Sequence, residues 1–421
     1  MSAQPESPER SENRESPPSP APSNGEVTPT SRSRALVLLE TAFLRFRYCV
    51  AIFAVLYALI ILLLCFPFFQ GQIVYLNSIR LPLFADFSTP EKYGLSPNKT
   101  LNLNLQTPDN QSIGAWFLLN DQYYRSLPTI PTDVAAHIGP AIQARPTVLF
   151  FHGNAATRAF NVRVAIYEAL TSRLNANVLA IDYRGFADST GHPSEAGLTT
   201  DARTAWNWLV ENGAKPEDIL IMGHSLGTGV SSQLGAQLGP ENIQPRGIVL
   251  LSPFSSIREV LDSYNLFGLI PLMKPLSMLP GATQLVSWVL VHKFDSLKAV
   301  PNITASVLIA HAENDWDIPS SHSDVLFQAY LEPYLPELVL PGLGPKVFST
   351  DEWQKMLGQQ QARKEKRGEL VKHTPISKFG SIDEFEADRR QVVLVKTHAG
   401  SHDYLPLQEG LQDIIRKRFS F

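Results

Sequence analysis

From Tyr48 to Phe69 the chain runs apolar without a single charged residue, and few folds can absorb such a segment. As a helix it would rise about 33 Å at ~1.5 Å per residue, enough to cross a hydrocarbon core of about 30 Å. A core helix of that length would keep a polar face, and the apolar part of a cleaved signal peptide is shorter, about 7–15 residues. Residues 48–69 are therefore expected to form one transmembrane helix. Residues 35–47, largely apolar from Ala35 to Phe46, would extend that helix or lie in the interface. Residues 1–34 are rich in Ser, Pro, Glu and Asn. Such a composition buries too little apolar area to offset its ordering entropy, so a disordered tail is expected.

Flanking cations set an expected orientation. Arg32, Arg34, Arg45 and Arg47 precede the apolar core, while only Arg80 and Lys92 follow it closely. The positive-inside rule then keeps the N-terminus cytosolic, a single-pass type II arrangement with the rest of the chain in a lumen or outside. Three Asn-x-Ser/Thr sequons, at Asn98, Asn110 and Asn302, all fall on that far side and are glycosylation candidates.

The chain has 421 residues, 44% of them hydrophobic, so a linker at 70–99 leaves ample length for one large domain over 100–421. With 36 Lys plus Arg against 40 Asp plus Glu, nothing favours an electrostatically driven nucleic-acid binder. The only cysteines, Cys49 and Cys65, sit in the apolar segment. The remainder thus has no thiol for a disulfide framework, a zinc cluster or a cysteine nucleophile.

Beyond residue 100, short β-rich apolar runs alternate with helical stretches. Leu101–Leu105 and Ala115–Leu119 read as an opening strand pair. Val148–Phe151, Val178–Ile181, Ile219–Met222, Ile248–Leu251, Val307–Ala310 and Val392–Val395 read as buried strands, with helical patterns such as Ala165–Leu174 and Ala202–Asn212 between them. Near-continuous apolar strands separated by helices indicate a mainly parallel sheet covered on both faces. Functional residues are then expected just past the carboxyl ends of the strands. Two segments break the alternation: a Leu-, Pro- and Met-rich insert at about 257–299, read as an apolar cap, and an insert at about 335–390, read as a solvated loop around the charged patch Arg363–Arg367.

Gly223-His224-Ser225-Leu226-Gly227 fits G-x-S-x-G. The pattern alone is weak. Here it follows the strand Ile219–Met222 and opens a run rich in small residues, Thr228-Gly229-Val230-Ser231-Ser232. That is the strand–turn–helix in which a serine hydroxyl stands on a strained elbow above the sheet. A serine needs a base to take its proton and a carboxylate to orient that base, in the order Ser, acid, His. Asp315, after Val307–Ala310, is the expected acid, with Glu313 and Asp317 as competitors; His402, in a Gly-Ser turn after Val392–Val395, is the expected base, with His398 as the alternative. Two N–H donors should form an oxyanion hole: Leu226, and Asn154 or else Ala155 in the loop after Val148–Phe151. His311 and Asp315 have a spacing open to metal ligands, but without a third ligand no metal is expected.

These motifs occur in order with others: His152-Gly153-Asn154-Ala155, Asp182-Tyr183-Arg184-Gly185, Gly191-His192-Pro193-Ser194-Glu195, Ser252-Pro253-Phe254 and His311-Ala312-Glu313-Asn314-Asp315. Together they resemble the membrane-anchored α/β-hydrolase domain proteins that act as lysophosphatidylserine and monoacylglycerol lipases. The resemblance implies the α/β-hydrolase fold and a lumenal endoplasmic-reticulum site hydrolysing lipid esters with no metal or organic cofactor. Ala187 stands where many such hydrolases carry a second glycine, and the 335–390 insert is longer than the resemblance implies. The expectation is a serine hydrolase that cleaves acyl esters of single-chain lipids through an acyl-enzyme. Two alternatives are a protein depalmitoylating thioesterase and, from another class, a non-catalytic membrane adaptor on a hydrolase fold.

Overall fold

The computed structural model describes residues 31–263, 265–266, 270–271, 288–338 and 349–421. It divides into two compact units, Met1–Leu62 and Leu63–Phe421. Helix α1 spans Ser31–Leu64; within it Leu36–Leu64 is a 29-residue stretch long and apolar enough to cross a membrane, with none of its most apolar window buried. At ~1.5 Å per residue this stretch is about 43 Å long, enough for the hydrocarbon core and part of the interfaces. The segment at 35–47 is thus helical, continuous with the span. The far end differs from the sequence expectation of Phe69. Phe66 is extended (φ −98°, ψ 131°) and Pro67 opens a new helix, α2, Pro67–Tyr75. Proline's ring disfavours helical backbone at the residue before it, so the chain breaks there.

The second unit is built on a ten-stranded sheet. Its strands are β1 (Thr100–Gln106), β2 (Ser112–Leu118), β3 (Thr147–Phe151), β4 (Asn177–Ile181), β5 (Ile219–His224), β6 (Gly247–Leu251), β7 (Val307–Ala312), β8 (Lys372–Ile376), β9 (Gly380–Ala387) and β10 (Arg390–Thr397). They lie in the order β1-β2-β4-β3-β5-β6-β7-β10-β9-β8. The six central strands, β4 through β10 in that order, pair in parallel, while the β1–β2 and β8–β9 pairs at the two edges join antiparallel. Helices α3 (Asn161–Ser172), α4 (Glu195–Glu211), α5 (Leu226–Leu238), α6 (Ser321–Leu331), α7 (Thr350–Leu370) and α8 (Glu409–Arg418) complete the main elements.

Alternate residues of each central strand feed opposite cores. Leu149, Phe151, Ile219, Ile221, Leu250 and Ile309 enter one cluster; Val148, Phe150, Leu220, Met222, Val249 and Leu308 enter the other. With a period of two and both faces covered, successive positions in the middle of each strand are apolar, which is why these strands read as unbroken runs.

The insert at 335–390 is not the loop that its charges suggested. After residues 339–348, which lie outside the described residues, Ser349 and Glu352 form a reciprocal capping box that starts α7, and β8 and β9 then extend the sheet edge. Two orphan N–H groups satisfied at the first turn favour the helix, and α7 buries none of its residues, so it carries no apolar stripe to reveal it. Of the cap insert, helix Ile257–Ser263 and a short pairing of Asn265–Leu266 with Ile270–Pro271 are described; most of Leu266–Met278 and 285–287 lie outside the described residues.

A buried ion network ties the opening hairpin to the sheet. Arg158, fully buried, donates through Nη1 to Asp182 at 2.6 Å, through both Nη atoms to Asp188 at 2.6 and 3.0 Å, and through Nη2 to Asn102 Oδ1 at 2.9 Å. Burial opposes the charge on Asp182, but His152 and Arg158 hold its carboxyl below the usual carboxylate range. Removing one partner leaves a buried charge without compensation, at a cost of about 3–5 kcal/mol. Arg158→Met is therefore expected to lower the melting temperature by many degrees, whereas replacing the exposed Arg125, in Arg125→Met, should leave it within a degree or two, the effect of ~0–1 kcal/mol. Thermal denaturation of the detergent-solubilised protein checks both.

Candidate active site

Strand β5 ends at His224 and α5 begins at Leu226, with Ser225 alone between them at φ 53°, ψ −120°. For a residue with a Cβ this left-handed backbone is strained by about 1–3 kcal/mol. The turn closes because its two glycines touch backbone. A Cβ on Gly223 would lie 2.2 Å from Gly227 O, and one on Gly227 would lie 2.1 Å from Phe151 O. Ser225 N–H donates to Leu251 O at 3.0 Å, fixing the elbow to β6.

Past the end of β7, Asp315 is held from several directions. Its Oδ1 accepts from the N–H groups of Asp317 and Ile318, both at 2.9 Å. Its Oδ2 lies 2.8 Å from His402 Nδ1 and 3.2 Å from His311 Nε2. Burial alone would favour the neutral acid, but the two histidines and the Ile318 N–H outweigh it and drive the Asp315 carboxyl far below the usual range. His402 responds in the opposite sense: burial disfavours its charge, yet the Asp315 hydrogen bond and charge raise its pKa above 6.5. Because Nδ1 faces the carboxylate, Nε2 is the free ring nitrogen.

One pocket brings these residues together. Its walls include Ser225, Leu226, Asn154, His402 and Asp317, with Val74, Leu76, Phe254, Ile257, Val260 and Ile318 supplying apolar surface. Among the described residues no hydrogen bond joins Ser225 Oγ to His402, a gap that is common before substrate arrives. The other sequence candidates fall elsewhere. His398 Nδ1 pairs with Glu313 Oε2 at 2.8 Å, and both side chains are about half exposed. Asp317 sits on the pocket rim, where its N–H helps to hold Asp315. Asp315, Asp317 and His402 do offer three ligand atoms within 4.8 Å, but the Asp315 oxygens are already engaged by protein donors.

The loop after β3 separates the two N–H candidates. Ala155 N–H is spent on Tyr75 O at 2.9 Å, whereas Asn154 N–H has no acceptor among the described residues and Asn154 lines the pocket. Leu226 N–H, at the first position of α5, has no partner within the helix, and the helix N-terminus favours negative charge there. Two further side chains set this loop. Arg163 Nη2 donates to the carbonyls of Gly153, Asn154 and Ala155 at 3.2, 3.0 and 2.8 Å, pulling all three to one side. Tyr183 Oη donates to His152 O at 2.7 Å. His224, beside the serine, sits 2.9 Å through Nε2 from His402 O; a carbonyl only accepts, so that nitrogen carries the proton. Burial and then the neighbouring His402 depress the His224 pKa to about 4, keeping it neutral.

Strained serine, ion-paired imidazole and two unspent N–H groups around one pocket can add a hydroxyl to a carbonyl and stabilise the oxyanion. Residues 148–316 match a family model described as alpha/beta hydrolase fold. The unit from Leu63 onward has the α/β-hydrolase fold. The chain is 34% identical over 260 residues to "Lysophosphatidylserine lipase ABHD12" of Danio rerio, covering 60% of this chain and 64% of that protein. It is 35% identical over 261 residues to the protein of the same name of Xenopus tropicalis, covering 60% and 63%. The chain thus spans somewhat under two thirds of the length of these curated relatives. An α/β-hydrolase crystal structure from Vibrio vulnificus aligns over 63% of this chain and 83% of its own, at 18% identity and a TM-score of 0.49.

The elbow geometry makes a sharp comparison possible. Gly227→Ala puts a methyl group into the Phe151 carbonyl, and overpacking of this kind costs about 1–3 kcal/mol or more. Gly139→Ala, where nothing lies within 4 Å, is expected to be neutral or slightly stabilising. Melting temperatures of the two variants, measured beside wild type, should differ by several degrees.

Proposed function

We propose that this protein is a serine hydrolase that cleaves acyl esters of single-chain lipids, a lysophospholipid above all, through an acyl-enzyme. The observation that carries the reading is the buried Asp315–His402 contact in the pocket that Ser225 lines. Ser225 Oγ attacks the ester carbonyl while His402 Nε2 takes its proton. The N–H groups of Asn154 and Leu226 stabilise the oxyanion, an effect of about 2.7–4 kcal/mol per donor. His402 returns the proton to the leaving alcohol and then activates water to release the fatty acid. Asp315 fixes the tautomer and stabilises the imidazolium. The apolar pocket wall suits an acyl chain, and the relatives' lysophosphatidylserine lipase name favours a lysophospholipid substrate.

The experiment is active-site labelling of membranes with a fluorophosphonate, followed by hydrolysis of a lysophospholipid panel. Labelling is expected in wild type and His398→Ala and lost in Ser225→Ala and His402→Ala; an unlabelled, folded wild type would overturn the reading. The pH profile follows with a definite sign. The base must be neutral, so kcat/KM is lost as pH falls through the His402 pKa, and a raised pKa places that limb above 6.5. Asp315→Asn removes the main stabiliser of the imidazolium, so the limb is expected to move to lower pH and kcat to fall about 10⁴-fold.

The flanking arginines support a type II topology with the hydrolase unit on the lumenal or outer side, and the resemblance to membrane-anchored hydrolases favours the lumen of the endoplasmic reticulum. Asn98, Asn110 and Asn302 are all exposed and open to an oligosaccharyltransferase there. Endoglycosidase H is expected to increase the gel mobility of wild type and to have a smaller effect as each asparagine is replaced by glutamine.

A further inference from the structure

Pocket residues Val74 and Leu76 belong to the segment that follows the membrane anchor, well outside the sequence motifs. That segment is attached to both sides of the pocket. Toward the loop after β3, three successive N–H groups donate to it: Ala155 to Tyr75 O at 2.9 Å, Ala156 to Ile79 O at 2.7 Å and Thr157 to Leu81 O at 3.0 Å. Ala155 and Ala156 hold φ of 54° and 51°, a left-handed backbone that costs a non-glycine residue about 1–2 kcal/mol each. The acceptors on residues 75–81, with Arg163 opposite, are what offset this. Toward the chain that returns from the cap insert, the buried Gln70 amide donates to Val289 O at 2.8 Å and accepts from Val291 N–H at 2.9 Å, and also donates to Leu64 O at 2.9 Å. Buried Tyr75 Oη adds a contact of 3.1 Å to His292 Nδ1.

We infer that residues 70–81 are a working part of the active site: Gln70 is a positioning residue that fixes the α2 wall, Val74 and Leu76 contact the acyl chain, and the carbonyls of Tyr75, Ile79 and Leu81 aim the loop that carries Asn154 N–H. This rests on the hydrolase reading above. With Ala155 N–H captured by Tyr75 O, the neighbouring Asn154, which lines the pocket, keeps an N–H without an acceptor among the described residues. Loosening α2 therefore affects the oxyanion donor, which acts in the transition state, while reshaping Val74 affects which chain fits.

The test uses the full-length protein in liposomes. Fluorophosphonate labelling that is lost in Ser225→Ala first establishes the site; absence of wild-type labelling would remove the hydrolase reading, and this inference with it. Steady-state rates on a short-chain and a long-chain ester of the same alcohol are then compared. Gln70→Met keeps the length and apolar stem but removes all three hydrogen bonds. It is expected to lower kcat about tenfold on both esters with KM little changed, the signature of a lost transition-state interaction. Val74→Phe is expected to lower the long-to-short ratio of kcat/KM by about tenfold or more, the scale on which a pocket resolves hydrocarbon size. A purely structural α2 would lower both esters in proportion with the amount of folded protein. Should Gln70→Met not fold, Val74→Phe decides alone. An unchanged chain-length ratio in Val74→Phe, with wild-type kcat in any folded Gln70→Met, would overturn the inference.

Discussion

Ser225 is held at φ 53° by a turn in which backbone meets backbone, and much of the neighbouring chemistry follows from keeping that turn closed. Gly223 against Gly227 O and Gly227 against Phe151 O leave no space for a Cβ, so the start of α5 lies directly on the end of β3. That contact places the N-terminus of α5 beside the loop 152–156. It thereby brings two N–H groups from distant parts of the chain to one point. The strain is small against the stability of a domain this size, but it recurs at Ala155 and Ala156. Buried donors and acceptors meet it: Leu251 O for the serine, and Arg163 with the post-anchor carbonyls for the loop. Strained backbone persists only where its surroundings over-determine it.

Two of the motifs that lie apart along the chain are joined by side-chain hydrogen bonds in space. His152 Nε2 lies 3.1 Å from Asp182 Oδ1, Arg158 bridges Asp182 to Asp188 and Asn102, and Arg184 joins Asp201 to Asp109. The His-Gly-Asn-Ala and Asp-Tyr-Arg-Gly segments are thus cross-braced at the carboxyl ends of adjacent parallel strands. Arg158, Asp182 and Asp201 are taken out of water while Asp188 and Asp109 keep part of theirs, and removing one partner of a buried charge is costly. Here the geometry fixed is that of the loop carrying Asn154.

What the sequence made legible follows the physics of burial. The middles of the six central strands are apolar residue after residue because both faces are covered, and their runs stand out without any knowledge of pairing. The edge pair β8–β9 is charged and only partly covered, with Lys372 and His373 exposed and Ile382 and Phe385 the apolar residues of β9 that enter the two cores, and its charges hid it. Helix α7 carries a different signal, Ser349 and Glu352 spaced as a capping box, while the charged cluster Arg363–Arg367 reads as a solvated loop. The end of the anchor was legible too, since Pro67 marks it, but hydropathy carried the boundary past it. Arg163 and Gln70 were not legible at all. Their roles lie in hydrogen bonds to backbone far along the chain, and no local pattern encodes those.

The two histidines near the C-terminus show how placement rather than residue type makes a site. His398 and Glu313 form an imidazole–carboxylate contact of 2.8 Å, the same length as that of His402 and Asp315. The first pair is 59% and 49% exposed, the second 13% and 0%. Water screens an exposed pair to about 0–1 kcal/mol, whereas a carboxylate in a low-dielectric setting acts on its partner with little loss. Two residues separate the cases: Gly400 at φ 138° and Ser401 at φ 49° turn the chain after β10 and carry His402 over the head of the sheet. His398, still bonded to Phe379 O through its N–H, stays with the strand edge. A charge relationship of identical length is thus idle on the surface and, four residues on, stands where it can govern the protonation of a base.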